Sequence, residues 1–257
     1  MDVPFTEFSN RGLTGASRVS NSQNLLPTLP SHVALSDWSP PESQTPSSCT
    51  SGAQVDARGA DWHGLDLSGL DLSETRLCRV DLRGAVLVGT CLDRADLRLA
   101  RYDKSTIWPE SFNYRQSGAI GPQAVLNGCF LNNADLSGMD LNGGSLMGAH
   151  LSGANLSGAC LRGVRFAGAD LRHANLSGAL CEGARFAACQ LDFVDFRWSS
   201  LTEAQLDSAE SIRGADFTGA SDLGRLRANL LSKPYSDLDC WNPLTRRTTR
   251  DSLGPCP

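Results

Sequence analysis

A five-residue periodicity dominates the sequence between Ala124 and Asp207. Read in fives, this stretch contains units such as ADLSG, MDLNG, ANLSG and ARFAA, and the middle residue of each unit is Leu, Phe or, once, Cys. Two places before it stands a small residue, most often Ala, as at Ala134 and Ala154. A fixed period of similar units constrains the architecture of a chain before any propensity argument does.

Neither a helix nor a flat strand accommodates this period. A five-residue step on an α-helix turns roughly 140° beyond a full circle, so the apolar residues would form no buried stripe. On a strand, an odd period would send successive apolar residues to opposite faces. A chain that bends after each unit, so that four short sides close a square coil, brings every middle residue inward. The sequence therefore predicts an all-β solenoid of stacked coils.

The other places in the unit agree with this geometry. Gly often occupies the last place, which suits a corner because Gly turns freely into the left-handed region of backbone conformation. Polar residues fill the outward places. Middle residues one coil apart should stack into apolar ladders along the axis, for example Leu126, Leu146, Phe166, Phe186 and Leu206.

These units resemble the A(D/N)LxG units of the pentapeptide-repeat family. The resemblance implies that family's fold, a right-handed quadrilateral β-helix in which the middle residue and the one two places earlier point inward. It says less about function, because the family includes inhibitors of type II DNA topoisomerases, proteins of photosynthetic bacteria and many members without an assigned role.

The periodicity predicts a β-helix over residues 58–220, with a first tract at 60–102, a second at 124–219 and an insert at 103–123. One extra residue after Leu206 shifts the register, so that Ile212 and Phe217 become the last middle residues. The insert contains DKSTIWPESF, and a segment of this kind is similar to inserts in pentapeptide proteins of photosynthetic bacteria.

The aromatic residues of the insert, Trp108, Phe112 and Tyr114, do not fall on the five-residue step. We expect them to pack on the flank of the solenoid. The insert either bridges two tracts of different register or forms an interaction surface, since loops often carry specificity. The three aromatic residues are therefore candidate interaction residues.

Phe193 and Trp198 are two further candidates, because they occupy successive corner places where Gly is usual. Clustered exposed aromatic side chains often mark contact sites. The alternative is that wider corners fold these two rings against Phe196 or the C-terminal helix.

The last segment, 221–257, should contain a helix and a tail. Ser221–Ser232 has Ser221 or Asp222 as the candidate N-cap, and Leu223, Leu226, Leu230 and Leu231 are expected on one side. This helix would cover the edge of the last coil or, alternatively, mediate a homodimer. The tail that follows is too polar and too rich in Pro for an assignment.

Residues 1–57 are rich in Ser and Pro and carry no repeat, which is typical of a disordered tail. They have no signal-peptide pattern, and no segment is long enough to span a bilayer. The expected location is the cytoplasm, with an organelle transit peptide as the alternative. A local exception would be the segment 32–38, whose Trp38 could cover the first coil.

The sequence contains no constellation typical of an enzyme, a cofactor site or a metal site. The three histidines of the tracts, His63, His150 and His173, are placed outward without a third ligand. The nine Cys form no CxxC pair, and we expect free thiols. The glycines do not follow a phosphate-binding spacing. We therefore expect a protein without catalytic activity or cofactor.

Two functions remain open. The first is a rigid scaffold that binds an unidentified protein. The alternative is a DNA mimic that modulates a type II topoisomerase, which would need a continuous acidic stripe. The net charge of −5 argues against direct nucleic-acid binding. Projected onto the coils, acid alternates with base on each side, as for Asp195 with Arg197 and Asp170 with Arg172. This pattern favours the scaffold.

Overall fold

The computed structural model describes residues 56–254 of the chain. From Asp56 to Ser221 the backbone winds into coils, and parallel β-bridges join residues of successive coils, as between Asp135 and Asn155. The predicted β-helix is therefore observed, and Asp56, two residues before the predicted start at 58, already belongs to it. The predicted disordered tail up to residue 55 and the proposed cover at Trp38 lie outside the described residues.

Backbone hydrogen bonds between coils hold the solenoid together. The N–H of a middle residue donates to a carbonyl of the next coil, as from Leu131 to His150 at 2.8 Å and from Leu156 to Asn175 at 2.7 Å. The N–H of His150 in turn donates to the carbonyl of Cys129 in the preceding coil at 2.9 Å. Each coil therefore satisfies the polar backbone of its neighbours, as a buried ladder requires.

The bridges define four sides of the second tract, which we number from 1 to 4 along the chain, starting with the side that contains Asp135. Each side is described by the residues that immediately precede the middle residue of their five-residue units. Side 1 contains Asp135, Asn155, Asn175, Asp195 and Asp216; side 2 contains Asp140, Cys160, Leu180, Ser200 and Ser221; side 3 contains Val125, Ser145, Arg165, Arg185 and Gln205; and side 4 contains Phe130, His150, Asp170, Gln190 and Ser211.

The interior is filled by the middle residues and by the small residues two places before them. Leu156, Leu161 and Ala154 are all fully buried. The predicted ladder includes Phe166 and Phe186, whose rings stack with their centroids 5.0 Å apart. Ile212 and Phe217 are buried after the shift in register, as predicted. Such stacking of planar rings adds to the free energy gained by burial.

Two devices shape the corners. The last residue of a unit adopts a positive φ, for example +64° at Gly158 and +60° at His173, so the chain turns through the left-handed region. An Asp or Asn before the middle residue accepts a hydrogen bond from the backbone two residues later, as Asn175 Oδ1 does from the Ser177 N–H at 3.0 Å. The Asp or Asn therefore closes the turn as well as facing water.

The coils continue into part of the predicted insert. Val86 forms a bridge with Ile107, and Arg101 forms one with Ile120. Gly121 takes a middle place, and a Cβ there would come within 2.6 Å of the Tyr102 carbonyl oxygen and 2.8 Å of its ring. The buried ring of Tyr102 thus fills the axis where Gly121 has no side chain. Between these bridges the chain departs from the ladder and forms a short 3-10 helix, Tyr114–Gln116.

The C-terminal segment contains five short elements. They are helix α1 (Gly224–Leu231), helix α2 (Tyr235–Leu238), strand β1 (Trp241–Asn242), strand β2 (Arg247–Thr248) and helix α3 (Thr249–Ser252). Strands β1 and β2 pair in antiparallel fashion. The predicted N-cap was wrong: the cap residue is Leu223, because Ser221 still forms a bridge with Ser200 in the ladder.

Side chains of this segment bind the last coil. Lys233 Nζ donates to the carbonyl of Ala209 at 2.6 Å, and Asn242 Nδ2 donates to that of Gly214 at 2.7 Å. Leu230 and Leu238 are buried in the same apolar cluster as the coils. The predicted apolar side of α1 is only partly buried, because Leu231 is 39% exposed. The tail up to residue 254 is therefore an ordered part of the end of the solenoid.

The stacked rings of the core should contribute measurably to stability. We expect Phe186→Ala to lower the free energy of unfolding by about 3–5 kcal/mol, because the ring is fully buried and the ladder cannot collapse around the cavity. Chemical denaturation would measure the change. The neighbouring exposed Arg185→Ala is the control and should change stability by less than about 0.5 kcal/mol. Equal effects of the two substitutions would contradict the stacked core.

Candidate functional site

The aromatic residues of the insert pack on one another and on the solenoid. The rings of Trp108 and Tyr114 are nearly parallel, at 4° and 5.4 Å between centroids, and Phe112 stacks on Trp108 at 5.6 Å. The Tyr102 ring meets both Trp108 and Tyr114 edge-on at 5.5 Å. The predicted packing of Trp108, Phe112 and Tyr114 on the flank is thus observed, with the three side chains half-buried.

This packing leaves a cavity of about 240 Å³ beside the rings, which we call the insert cavity. Its lining includes the three rings Tyr102, Trp108 and Tyr114, together with Lys104 and Arg115. A filled solenoid axis one side chain wide provides no reason to expect a cavity from the sequence. The cavity lies beside the insert, where the chain leaves the ladder.

Contacts within the lining fix its polar groups. The hydroxyl of Tyr102 donates to the carbonyl of Pro122 at 2.8 Å, and burial raises the pKa of this phenol. Lys104 Nζ forms an ion pair with Asp140 at 2.9 Å. The N–H of Val125 donates to the Arg115 carbonyl at 2.7 Å, so the backbone of Arg115 is held by the next stretch of the coil.

Phe193 and Trp198 lie at the two corners that bound side 1. Both have positive φ, 58° and 61°, as the corner requires. Phe193 stacks on the ring of His173 with centroids 5.0 Å apart, and a Cβ at Gly214 would approach its ring to 2.6 Å. The ring of Trp198 similarly lies over Gly219.

The corner aromatics therefore extend along the corners, over glycines of the next coil. Phe193 is half-buried, whereas Trp198 is 67% exposed. The Asp195–Arg197 ion pair lies between them on the same coil, with a separation of 2.6 Å. Both aromatic candidates thus border one flat side, while the three candidates of the insert form a different cluster.

Sequence reasoning missed a further aromatic pair on side 4. Phe130 is 78% exposed and stacks on His150 with centroids 4.6 Å apart. The available signal was the unit CFLNN, in which Phe stands at the place that Asp or Asn usually occupies.

Charges on the sides are largely neutralised in pairs. When Asp precedes a middle residue and Arg follows it, the two side chains form an ion pair, as for Asp96 with Arg98 and Asp170 with Arg172. Other pairs join successive coils, such as Arg162 with Glu182 at 3.0 Å. Acid is therefore interrupted by base on sides 1, 2 and 4, as the projection from the sequence predicted.

Side 3 differs, because Arg165 and Arg185 bridge each other in the ladder and carry no ion pair with any residue from 56 to 254. Their units, VRFAG and ARFAA, place Arg before the middle residue and Ala after it. No carboxylate therefore stands within the unit to pair with them.

The described residues show little else that could support chemistry. Within them, no cluster of His, Cys, Asp and Glu could hold a metal ion. Cys181 and Cys189 are buried in the core, and burial raises the pKa of the Cys189 thiol to about 11. No helix between residues 56 and 254 is long and apolar enough to cross a membrane.

The coils and their outward residues define the class of protein as a β-helical solenoid of five-residue repeats. The family model described as pentapeptide repeats matches this chain in eight copies, which cover residues 53–84, 60–98, 129–167 and 165–202. The chain belongs to the pentapeptide repeat family, whose members fold as right-handed β-helices. No curated protein matches it significantly.

Several solved structures are similar to this chain. HetL, a pentapeptide repeat protein involved in heterocyst differentiation regulation in the cyanobacterium Nostoc, is 28% identical; the match covers 66% of this chain and 85% of HetL, with a TM-score of 0.36. The Nostoc protein alr5209 is 31% identical over 41% of this chain and 81% of its own, with a TM-score of 0.28. QnrB1, a plasmid-mediated fluoroquinolone resistance protein, is 18% identical over 67% of this chain and 97% of its own, with a TM-score of 0.32.

The ion pair within a repeat unit generates a testable prediction. The pKa of Asp170 is lowered mainly by the hydrogen bond from the Arg172 side chain, against an opposing effect of burial and with help from the Arg172 backbone N–H. Arg172→Gln should therefore raise this pKa towards the ordinary value of about 3.9, while the backbone bond keeps it below. An NMR titration of the carboxyl carbon would measure the shift.

The control is Arg165→Gln, which removes the same charge from side 3 and should leave the pKa of Asp170 unchanged. Because the folded pKa lies below the unfolded one, the pair stabilises the fold above about pH 4 and loses this effect as the pH falls towards the folded pKa. An unchanged pKa in Arg172→Gln would show that the ion pair does not form in solution.

Proposed function

We propose that this protein is a non-catalytic scaffold that binds a protein partner on side 1. The observation that best supports this proposal is a row of side chains on one coil. The row consists of Phe193, the Asp195–Arg197 ion pair and Trp198. Large aromatic side chains surrounded by polar groups are typical of the residues that dominate protein interfaces.

The neighbouring coils supply a flat surface for such a partner. On side 1 they present Asn155 and Asn175, whose amide groups are linked at 3.4 Å. The corners beside them are Gly158 and Gly178, which have no side chain to obstruct an approaching surface. A partner could therefore lie along the side and contact Trp198 at its end.

The exposure of Trp198 supports a role in binding. A ring that is 67% exposed contributes little to the folded state, and the left-handed corner would accept Gly with less strain. An aromatic residue in this conformation costs free energy that the fold does not require. Recognition of a partner is the function that accounts for it best.

The DNA-mimic alternative is less well supported, because several of the carboxylates that would imitate phosphates are paired with arginines. Asp195 and Asp170 are examples on two different sides. The likeness to QnrB1 is too distant to carry an argument. We therefore expect no inhibition of supercoiling by purified gyrase at micromolar concentrations of the intact chain. Inhibition in that assay would reverse the ranking of the two functions.

The cytoplasmic location and a homodimer through the C-terminal helix remain proposals. Leu231 in α1 and the 80% exposed Leu244 after β1 provide apolar surface for self-association. The concentration dependence of the molar mass in solution would test the homodimer.

A photo-crosslinking experiment in the native cell tests the docking surface. A crosslinking amino acid at Ser177 on side 1 should give a defined protein adduct, while one at Asp207 on the opposite side should not. The double variant Phe193→Gly/Trp198→Gly should reduce the adduct by about tenfold, because it removes the aromatic anchors. Gly is compatible with the backbone at both corners, so the thermal unfolding midpoint should confirm an intact fold.

Gln205→Ala, on side 3, is the matched control and should leave the adduct unchanged. Persistence of the adduct in the folded double variant would rule out side 1 as the binding surface.

A further inference from the structure

The insert cavity combines flat apolar walls with a defined set of polar groups. Tyr102, Trp108 and Tyr114 contribute three mutually packed rings, with centroids 5.4 to 5.5 Å apart. A volume of about 240 Å³ lies below the usual range for drug-sized ligands, and suits a molecule with one or two small rings.

The carboxylate of the cavity lining is already engaged. The Asp103 carboxylate accepts hydrogen bonds from the N–H groups of Gly84 and Ser105 and from the Ser105 hydroxyl. Burial opposes ionisation of Asp103, but these bonds outweigh it and leave its pKa below the ordinary value. The phenol of Tyr102 is held by Pro122.

The donors of the cavity are not all engaged. The indole Nε1–H of Trp108 is buried and has no acceptor among residues 56–254. The guanidinium of Arg115 forms no ion pair with them; it lies over the Tyr114 ring, 5.8 Å from the centroid. Lys104 is neutralised by Asp140, so Arg115 is the cation of the lining without a carboxylate partner.

An unpaired guanidinium beside aromatic walls favours one class of ligand. We propose that the insert cavity binds a small planar aromatic carboxylate. Its ring packs against the walls formed by Tyr102, Trp108 and Tyr114, and its carboxylate accepts hydrogen bonds from Arg115. Guanidinium groups suit this role because they bind carboxylates through two parallel hydrogen bonds.

The backbone supports such a site. The hydrogen bond from the Val125 N–H holds the backbone carbonyl of Arg115. The hydroxyl of Tyr102 is held by its hydrogen bond to Pro122, and its ring packs closely against Gly121. The walls and the backbone that carries Arg115 are therefore positioned before a ligand arrives, which reduces the entropy lost on binding. The proposal is independent of docking on side 1.

Calorimetry on the full chain tests the site with three probes. Benzoate supplies ring and charge, benzamide supplies the ring alone, and acetate supplies the charge alone. Benzoate should bind at least about tenfold more tightly than either of the others. Benzoate binding weaker than a Kd of about 10 mM, or no tighter than acetate or benzamide, would overturn the proposal.

Two variants assign the interaction to the cavity. Arg115→Gln should weaken benzoate binding by about tenfold and leave benzamide unchanged, whereas Arg165→Gln, an equal loss of charge on side 3, should have no effect. Equal behaviour of the two variants would refute the role of Arg115.

The NMR signal of the Trp108 indole N–H, assigned by its through-space contacts with the rings of Tyr102 and Tyr114, gives a readout on the unmodified chain. It should shift on addition of benzoate, while the indole signal of Trp198 should not. An unmoved Trp108 signal under saturating benzoate would overturn the proposal even if the variants failed to fold.

Discussion

The left-handed turn at the end of each five-residue unit is the constraint on which the structure depends. It lets the chain change direction after so few residues that four units close a coil, and it brings the N–H of one coil opposite a carbonyl of the next. Gly adopts this conformation most easily, and an Asp or Asn side chain closes the turn from within the unit. Stacked Leu and Phe residues then stabilise an arrangement that the backbone has already defined.

Much of the fold could be predicted because every coil repeats the same contacts. The middle residues from Leu126 to Leu206 can be recognised by their five-residue period. The extra residue that moves Ile212 into the axis can be recognised because it interrupts that period. The insert could not be predicted in the same way. Its register depends on a compensation in volume between Tyr102 and Gly121, two residues on successive coils whose relation has no periodic signature.

The C-terminal tail was also beyond prediction for a physical reason. Its elements are too short for a hydrophobic period, and they are held by single hydrogen bonds from Lys233 and Asn242 to distant carbonyls. The candidate site was likewise predictable only in part. The corner places of Phe193 and Trp198 could be read from the sequence, but their surroundings depend on Gly214 and Gly219 in the next coil. Phe130 was overlooked because its place is normally polar.

The insert and the second tract of the solenoid offer different surfaces. The second tract carries paired charges and corner aromatics on flat sides, which suits a macromolecular partner. The insert carries a small cavity lined by the unpaired guanidinium of Arg115, which suits a small anionic molecule. A single backbone architecture would therefore provide both of the recognition functions that we propose, and neither requires a catalytic group.

The hydrogen bonds that Lys233 and Asn242 make to Ala209 and Gly214 have a consequence for how this molecule can change over evolutionary time. They anchor the terminal segment to the last coil alone and leave the interior coils equivalent to one another. A tandem duplication of one coil within the second tract would therefore lengthen the solenoid by a fixed increment without disturbing its end. The length of such a solenoid would then change in whole coils, and the spacing between the insert and the corner aromatics Phe193 and Trp198 would change by the same steps.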